Sequence, residues 1–142
     1  MQRADFRHVL ELPVLWGHMD ALGHVNNVQY FRYIESGRIA YFENLLGELS
    51  RSGESVILAD MQCSFRQQLH YPSQIEVMSR VSRIGRSSLD LQCALFRKGE
   101  NQAVATSKAV LVWFDFATQA SRPIPEAVRN AILAFEPISP AL

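Results

Sequence analysis

The period of apolar positions changes twice along the chain. From Phe6 to Leu15 the sequence is apolar and compatible with a strand, and Pro13 marks that strand as an edge or as bulged. From Val28 to Leu46 the spacing turns helical. Val28, Phe31, Ile34, Ile39, Phe42, Leu45 and Leu46 recur at steps of three and four with no proline among them. Gly47 supplies a stop, and a helix of that length spans roughly 28 Å. After the polar break LSRSGES the period falls to two. Val56 to Phe65 reads as one strand. Ile75, Val77 and Val81 then alternate with Glu76, Arg80 and Ser82, and Leu89, Leu91, Cys93 and Leu95 alternate with Asp90 and Gln92. The run Ala103 to Phe116 is apolar or small on both sides, as in a central strand covered by the helix. Ala103, Ala105, Ser107 and Ala109 are expected on one face, leaving room for something bulky. Ile84-Gly85-Arg86-Ser87 and Lys98-Gly99-Glu100-Asn101 read as hairpin turns, which makes these strands antiparallel. PIPEAVRNAILAF places Pro125 near the first turn of a short terminal helix.

The economical packing of these parts is α+β, with one antiparallel sheet wrapped around one long helix and a short helix closing the chain. A length of 142 residues fits a single domain spanning 1–142. Fourteen basic and fourteen acidic residues cancel, so no overall field draws in nucleic acid. No stretch reaches the length of a membrane span, and MQRADFRHVL lacks the apolar core of a signal peptide, so a cytoplasmic protein is expected. Cys63 and Cys93 show no CxxC spacing and read as free thiols of a reducing compartment; sequence alone leaves a disulfide between them open.

Ahead of the long helix the chain reads HMDALGHVNN. A helix entry needs one capping residue, yet this one carries His18, Asp20, His24, Asn26 and Asn27. Asn26 or Asn27 opens the helix, so the Asn27 N–H is left without an intrahelical partner at the positive end of the macrodipole. That is where a developing oxyanion is best held. Asp20 is either a turn-former beside Gly23 or a reactive carboxylate next to this donor. His18, Asp20 and His24 follow no common zinc spacing, and no metal is expected.

The stretch WGHMDALGHVNNVQYFRYIESGR resembles the signature of the hot-dog-fold thioesterases, in the branch that includes 4-hydroxybenzoyl-CoA thioesterase. The matching features are the acid, the GHVNN run, the tyrosine three residues later, and Glu35 followed by Arg38. The IPEAVR tail and the order of elements fit along nearly the whole chain. The resemblance implies hydrolysis of acyl-CoA thioesters without a cofactor. It implies Asp20 as the catalytic carboxylate, as general base or as nucleophile, and the Asn27 amide polarising the thioester carbonyl with Asn26 at the substrate. His24 either orients the loop or helps position the water or thioester. Glu35 either pairs with Arg38 or serves as a reserve catalytic acid. Two departures stand out: His18 occupies a position where many relatives carry a second acid, and Leu22 one where acyl-ACP enzymes carry asparagine.

Coenzyme A brings phosphates. Arg80, Arg83 and Arg86 cluster near the Ile84 hairpin with Ser87 and Ser88, and Arg66 ends another strand; Arg83, Arg86 and Ser88 are the expected contacts. The resemblance further implies a homodimer or homotetramer with active sites drawing on two chains. Two alternatives stand beside acyl-CoA hydrolysis: an acyl-ACP thioesterase and a non-catalytic acyl-CoA-binding domain. The loop acid followed by GHVNN argues against hydratases of the same fold.

Overall fold

The computed structural model describes residues 1–47 and 53–142. Its elements are β1 (His8–Val14), α1 (Asn27–Leu46), β2 (Glu54–Phe65), β3 (Ser73–Ile84), β4 (Ser88–Arg97), β5 (Ala103–Asp115), β6 (Ala120–Ser121) and α2 (Glu126–Phe135). The LSRSGES break falls largely on residues 48–52, outside the described residues.

The strands form one antiparallel sheet in the order β1-β3-β4-β5-β2, with the short β6 beside β5. β1 is an edge, the place where Pro13 costs no ladder hydrogen bond to a second neighbour. β2 is the other edge. The helix starts at Asn27 because the Asn26 side chain accepts from the Val28 N–H at 2.9 Å. It stops at Gly47, which takes φ +46° and returns its N–H to the Glu43 carbonyl.

Two apolar clusters lie between α1 and the sheet. One joins Tyr30, Tyr33 and Ile34 to Ile75, Val77, Leu95 and Ala105. The other joins Tyr41, Phe42 and Leu46 to Ile84, Leu89, Trp113 and α2 residues Val128 and Ile132. Helix and sheet pack tightly at Gly37, where a Cβ would collide with Val77 Cγ1. The outer face of the sheet is partly covered by the N-terminal segment: Phe6 packs with Met78, Ala94 and Phe96, and the Arg3 guanidinium lies 4.6 Å from the Phe96 ring centre.

Two readings of the pattern are corrected. The buried stripe of α1 is Tyr30, Tyr33, Ile34, Gly37, Tyr41, Phe42 and Leu46. Val28, Phe31 and Ile39 instead remain 59%, 38% and 50% exposed. The helix is apolar on two faces, and its tyrosines go inside because their rings fill the sheet's concavity while hydroxyls find partners at its ends. Ala103 also changes sides. The β4–β5 register shifts between Leu95 and Phe96, so Val104 joins Ala105 in the inner core and Ala103 packs with the outer cluster.

Candidate functional site

The segment before α1 is a small hairpin closed on itself. Met19 bridges Val25, the Asp20 N–H donates to the His24 carbonyl at 3.0 Å, and the Gly23 N–H donates to the Asp20 carbonyl at 3.2 Å. Gly23 takes φ +88°, a value that closes this turn and that a side chain would resist. The Leu22 N–H donates to Asp20 Oδ1 at 2.8 Å, an Asx-turn that fixes the carboxylate. Asp20 Oδ2 makes no hydrogen bond among the described residues. The hairpin is fastened to the body twice: Asn26 N–H donates to the His18 carbonyl at 3.1 Å, and Val25 N–H to the Leu69 carbonyl at 2.8 Å.

His18 turns inward. Its Nδ1 accepts from the Leu15 N–H at 3.1 Å and lies 2.8 Å from the Tyr33 hydroxyl. Burial, with Tyr30 beside it, pushes the Tyr33 hydroxyl up to about 12, so it meets His18 as a neutral phenol. Burial likewise raises Tyr30, whose hydroxyl donates to the Gln67 carbonyl at 3.1 Å.

At the helix entry the donors sort themselves. Val28 N–H is capped by Asn26 Oδ1 and Gln29 N–H goes to the Asn26 carbonyl. The Asn27 N–H makes no hydrogen bond among the described residues. Asn27 and the half-buried Asp20 both line a cleft of about 350 Å³. His24, Tyr30 and Phe65 line it as well, and its far wall is Arg66, Gln67 and Gln68. Asp20 also borders a second cleft of about 580 Å³ with Trp16, Met19 and Tyr71. The carboxylate therefore stands between two openings, one holding the free amide and one lined by aromatic rings.

His24 contributes a ring whose Nδ1 is buried with no partner, 6.3 Å centre to centre from His70. His70 Nδ1 lies 3.1 Å from the Gly23 carbonyl. His70, Gln67 and Gln68 were not anticipated. Nothing in the local pattern marks them, because they meet the site only through the return of the chain from β2 to β3. Arg97 holds that return in place, donating to Gln67 Oε1 at 2.7 Å and also to the Gln68 carbonyl.

The other expected residues lie elsewhere. Glu35 is half-exposed, 4.0 Å from Arg38 and 3.3 Å from Arg32, and borders a separate groove of about 440 Å³ between α1 and β2. Arg83 is held by Asp90 through two hydrogen bonds of 2.9 Å and reaches Ser88 Oγ at 3.2 Å. Arg83, Arg86 and Ser88 sit at the β3–β4 hairpin. Ser88 pairs with Val112 and Phe65 with Ala105 on the same strand, a separation of about 24 Å at the antiparallel rise. Within one chain the structure joins Asp20, His24 and Asn27 and leaves Glu35 and the hairpin apart. Among the described residues no group of three His, Cys, Asp or Glu side chains forms a metal-ligand set.

Comparison with known proteins decides the family. Residues 14–132 match the thioesterase-like superfamily. The chain belongs to it. A Thermus thermophilus thioesterase, solved in complex with coenzyme A and Zn, is 30% identical over 93% of this chain and 96% of its own, with a TM-score of 0.82. The PA2801 protein of Pseudomonas aeruginosa is 33% identical over 88% and 97% of the two chains, with a TM-score of 0.80. The acyl-acyl carrier protein thioesterase ATL3 of Arabidopsis thaliana chloroplasts is 26% identical over 90% of this chain, which spans about two thirds (68%) of its length. Like these thioesterase-superfamily relatives, the chain has the hot-dog fold, a curled sheet holding a long helix, and it is a thioester hydrolase. No helix among the described residues is long and apolar enough to cross a membrane.

Proposed function

We propose that the chain hydrolyses acyl-CoA thioesters to a free acid and coenzyme A in the cleft shared by Asp20 and Asn27. The thioester carbonyl oxygen accepts from the Asn27 N–H, which has no partner among the described residues, while the helix dipole favours the negative charge that develops there. Asp20 either takes a proton from an attacking water or attacks the carbonyl carbon itself, giving a mixed anhydride that water then opens. In both courses the C–S bond breaks and the sulfur leaves as a thiolate that takes up a proton. His24 lines the same cleft, either orienting the loop or positioning the water or the thioester. Asn26 acts at one remove, holding the helix end that presents the amide.

The observation that carries this reading is the meeting of an unpartnered helix-entry amide and a half-buried carboxylate in one cleft. The test is thiol release from a panel of short, long and aromatic acyl-CoAs. Release that vanishes in Asp20→Asn and survives in Glu35→Gln supports it. Tight acyl-CoA binding without release would instead make the chain a non-catalytic binder.

A carrier-protein substrate is the second reading, favoured by the similarity to the plant acyl-acyl carrier protein enzyme. Leu22 and the Thermus complex with coenzyme A weigh toward the free cofactor. The chain is further proposed to form a homodimer or homotetramer. The exposed Val28, Phe31 and Ile39 stripe runs beside the open edge of β2, where Leu58 and Phe65 are also exposed, and a second copy would cover both. Arg83, Arg86 and Ser88 are the alternative carrier contacts, reached only by a thioester bound mainly in a neighbouring chain. Two unpaired cysteines fit a cytoplasmic setting.

A further inference from the structure

Arg66 belongs to two hollows at once. It lines the Asp20–Asn27 cleft on the inner side of the β2 edge, and it lines a groove of about 460 Å³ on the outer face of the sheet. That groove is built by strand register. Ser64 sits opposite Thr106, and Gln62 and Gln92 flank Lys108 from the two neighbouring strands. Lys108 lies three residues from Ala105, the partner of Phe65, so it is about 10 Å along the strand from the level of the catalytic cleft.

The chemistry of the groove is that of an anion site. Among the described residues Lys108 has no ion-pair partner, and the Arg66 guanidinium makes one long contact of 3.4 Å to Thr106 Oγ1. The remaining walls are neutral donors and acceptors, Gln62, Ser64, Gln92 and Thr106. Asp5 also borders it, its Oδ2 accepting from the Gln2 N–H at 2.9 Å, and sets one negative charge against the two cations. Beyond Lys108, away from Arg66, the outer face carries the carboxylate of Asp60, which biases an anion toward the Arg66 end. The volume suits a nucleotide better than the broad face of a carrier protein. The hairpin arginine Arg83, by contrast, is already neutralised by Asp90.

We propose that this groove binds the nucleotide diphosphate end of a coenzyme A-type carrier, with Arg66 and Lys108 reading phosphate oxygens while the pantetheine arm passes the end of β2 at Arg66, the residue common to both hollows, into the catalytic cleft. The inference rests on the thioesterase reading above and adds where the carrier lies.

The experiment compares one acyl group presented on coenzyme A and on pantetheine, which lacks the nucleotide. Lys108→Ala and the Arg66→Ala/Lys108→Ala pair should raise KM for the acyl-CoA about tenfold or more, the scale of a lost charge-assisted contact. Lys108→Ala should leave the acyl-pantetheine reaction unmoved. Equal losses on both thioesters, or no change in the double variant, overturn the proposal. So does a rise in KM from Arg86→Ala with none from Lys108→Ala, which would put the phosphates at the hairpin. Titration with adenosine 3′,5′-bisphosphate separates this inference from the functional reading. Calorimetric binding that the double variant abolishes upholds the groove even if no thioester is cleaved, and its absence from the unsubstituted protein sinks the groove even if thioesters are.

Discussion

The Tyr33 hydroxyl lies 2.8 Å from His18 Nδ1, and the same nitrogen accepts the Leu15 N–H at 3.1 Å. Because a backbone N–H can only donate, the ring must accept at Nδ1 and carry its proton on Nε2. A residue in the first helical turns thus pins the residue two positions before Asp20. Where many relatives are expected to place a second acid, this chain has an imidazole fixed from below.

Removing that pin should be felt at the site. Tyr33→Phe is expected to cost about 1 kcal/mol of stability and to lower kcat several-fold with KM for acyl-CoA little changed. His18→Asn, whose amide oxygen reproduces the Nδ1 acceptor, should retain more activity than His18→Ala. Thermal unfolding together with steady-state thioester hydrolysis checks both.

The proposed oxyanion donor can be deleted without touching a side chain's chemistry. Asn27 is the first residue of α1, and Asn26 before it has φ −63° and ψ 139°, a conformation that tolerates a following proline. Asn27→Pro should therefore fold with nearly unchanged thermal stability while kcat falls by roughly 10² to 10³. Asn27→Ala, which keeps the N–H, should stay close to the unsubstituted rate.

The tight contact of helix and sheet at Gly37 gives a packing test. Gly37→Ala gains about 1 kcal/mol of helix propensity but drives a Cβ into Val77, which is fully buried and has nowhere to move. Overpacking of this kind costs about 1–3 kcal/mol, so a net destabilisation is expected. In a double-mutant cycle by denaturant unfolding, Val77→Ala should cost less in the Gly37→Ala background than alone.

A buried polar knot sets a pH dependence. Tyr41 donates to Glu136 Oε1 at 2.5 Å, the Val81 N–H donates to the same oxygen at 2.9 Å, and the His8 ring packs 5.4 Å from Tyr41. Burial lowers His8 below its ordinary 6.5, so the unfolded chain binds more protons there and stability should drop as pH falls through about 6.5. Burial raises Glu136 above its ordinary 4.5 despite its hydrogen bonds, so its contribution runs the opposite way, shrinking as pH rises above that value. Denaturant midpoints between pH 8 and pH 6 should fall in the unsubstituted protein and flatten in His8→Gln. Glu136→Gln should steepen the fall below pH 6.

The two thiols should also part company. Cys63 and Cys93 both pair with Ser107, on opposite sides of β5, which separates their backbones by about 9–10 Å, beyond disulfide reach. Burial pushes Cys93 up to about 12 and raises Cys63 less. A disulfide-exchange reagent should titrate Cys63 slowly in the native protein and Cys93 only on unfolding.

What the sequence determined by itself is what lies close along the chain. The long helix, its start at Asn26–Asn27, its stop at Gly47 and the alternating strands follow from local capping and period, which need no distant partner. The meeting of Asp20, His24 and Asn27 was legible because a single hairpin of eight residues carries them to one cleft. Tertiary structure decided the rest. It chose the tyrosine stripe of α1 over the equally apolar Val28–Phe31–Ile39 stripe, since periodicity identifies faces but only the sheet's shape selects which one it can enclose. It moved Ala103 outward through a bulge that alternation does not announce. It brought Arg66, Gln67 and His70 to the hairpin and sent Arg83 and Arg86 about 24 Å along the sheet, because strand register couples residues far apart in the chain.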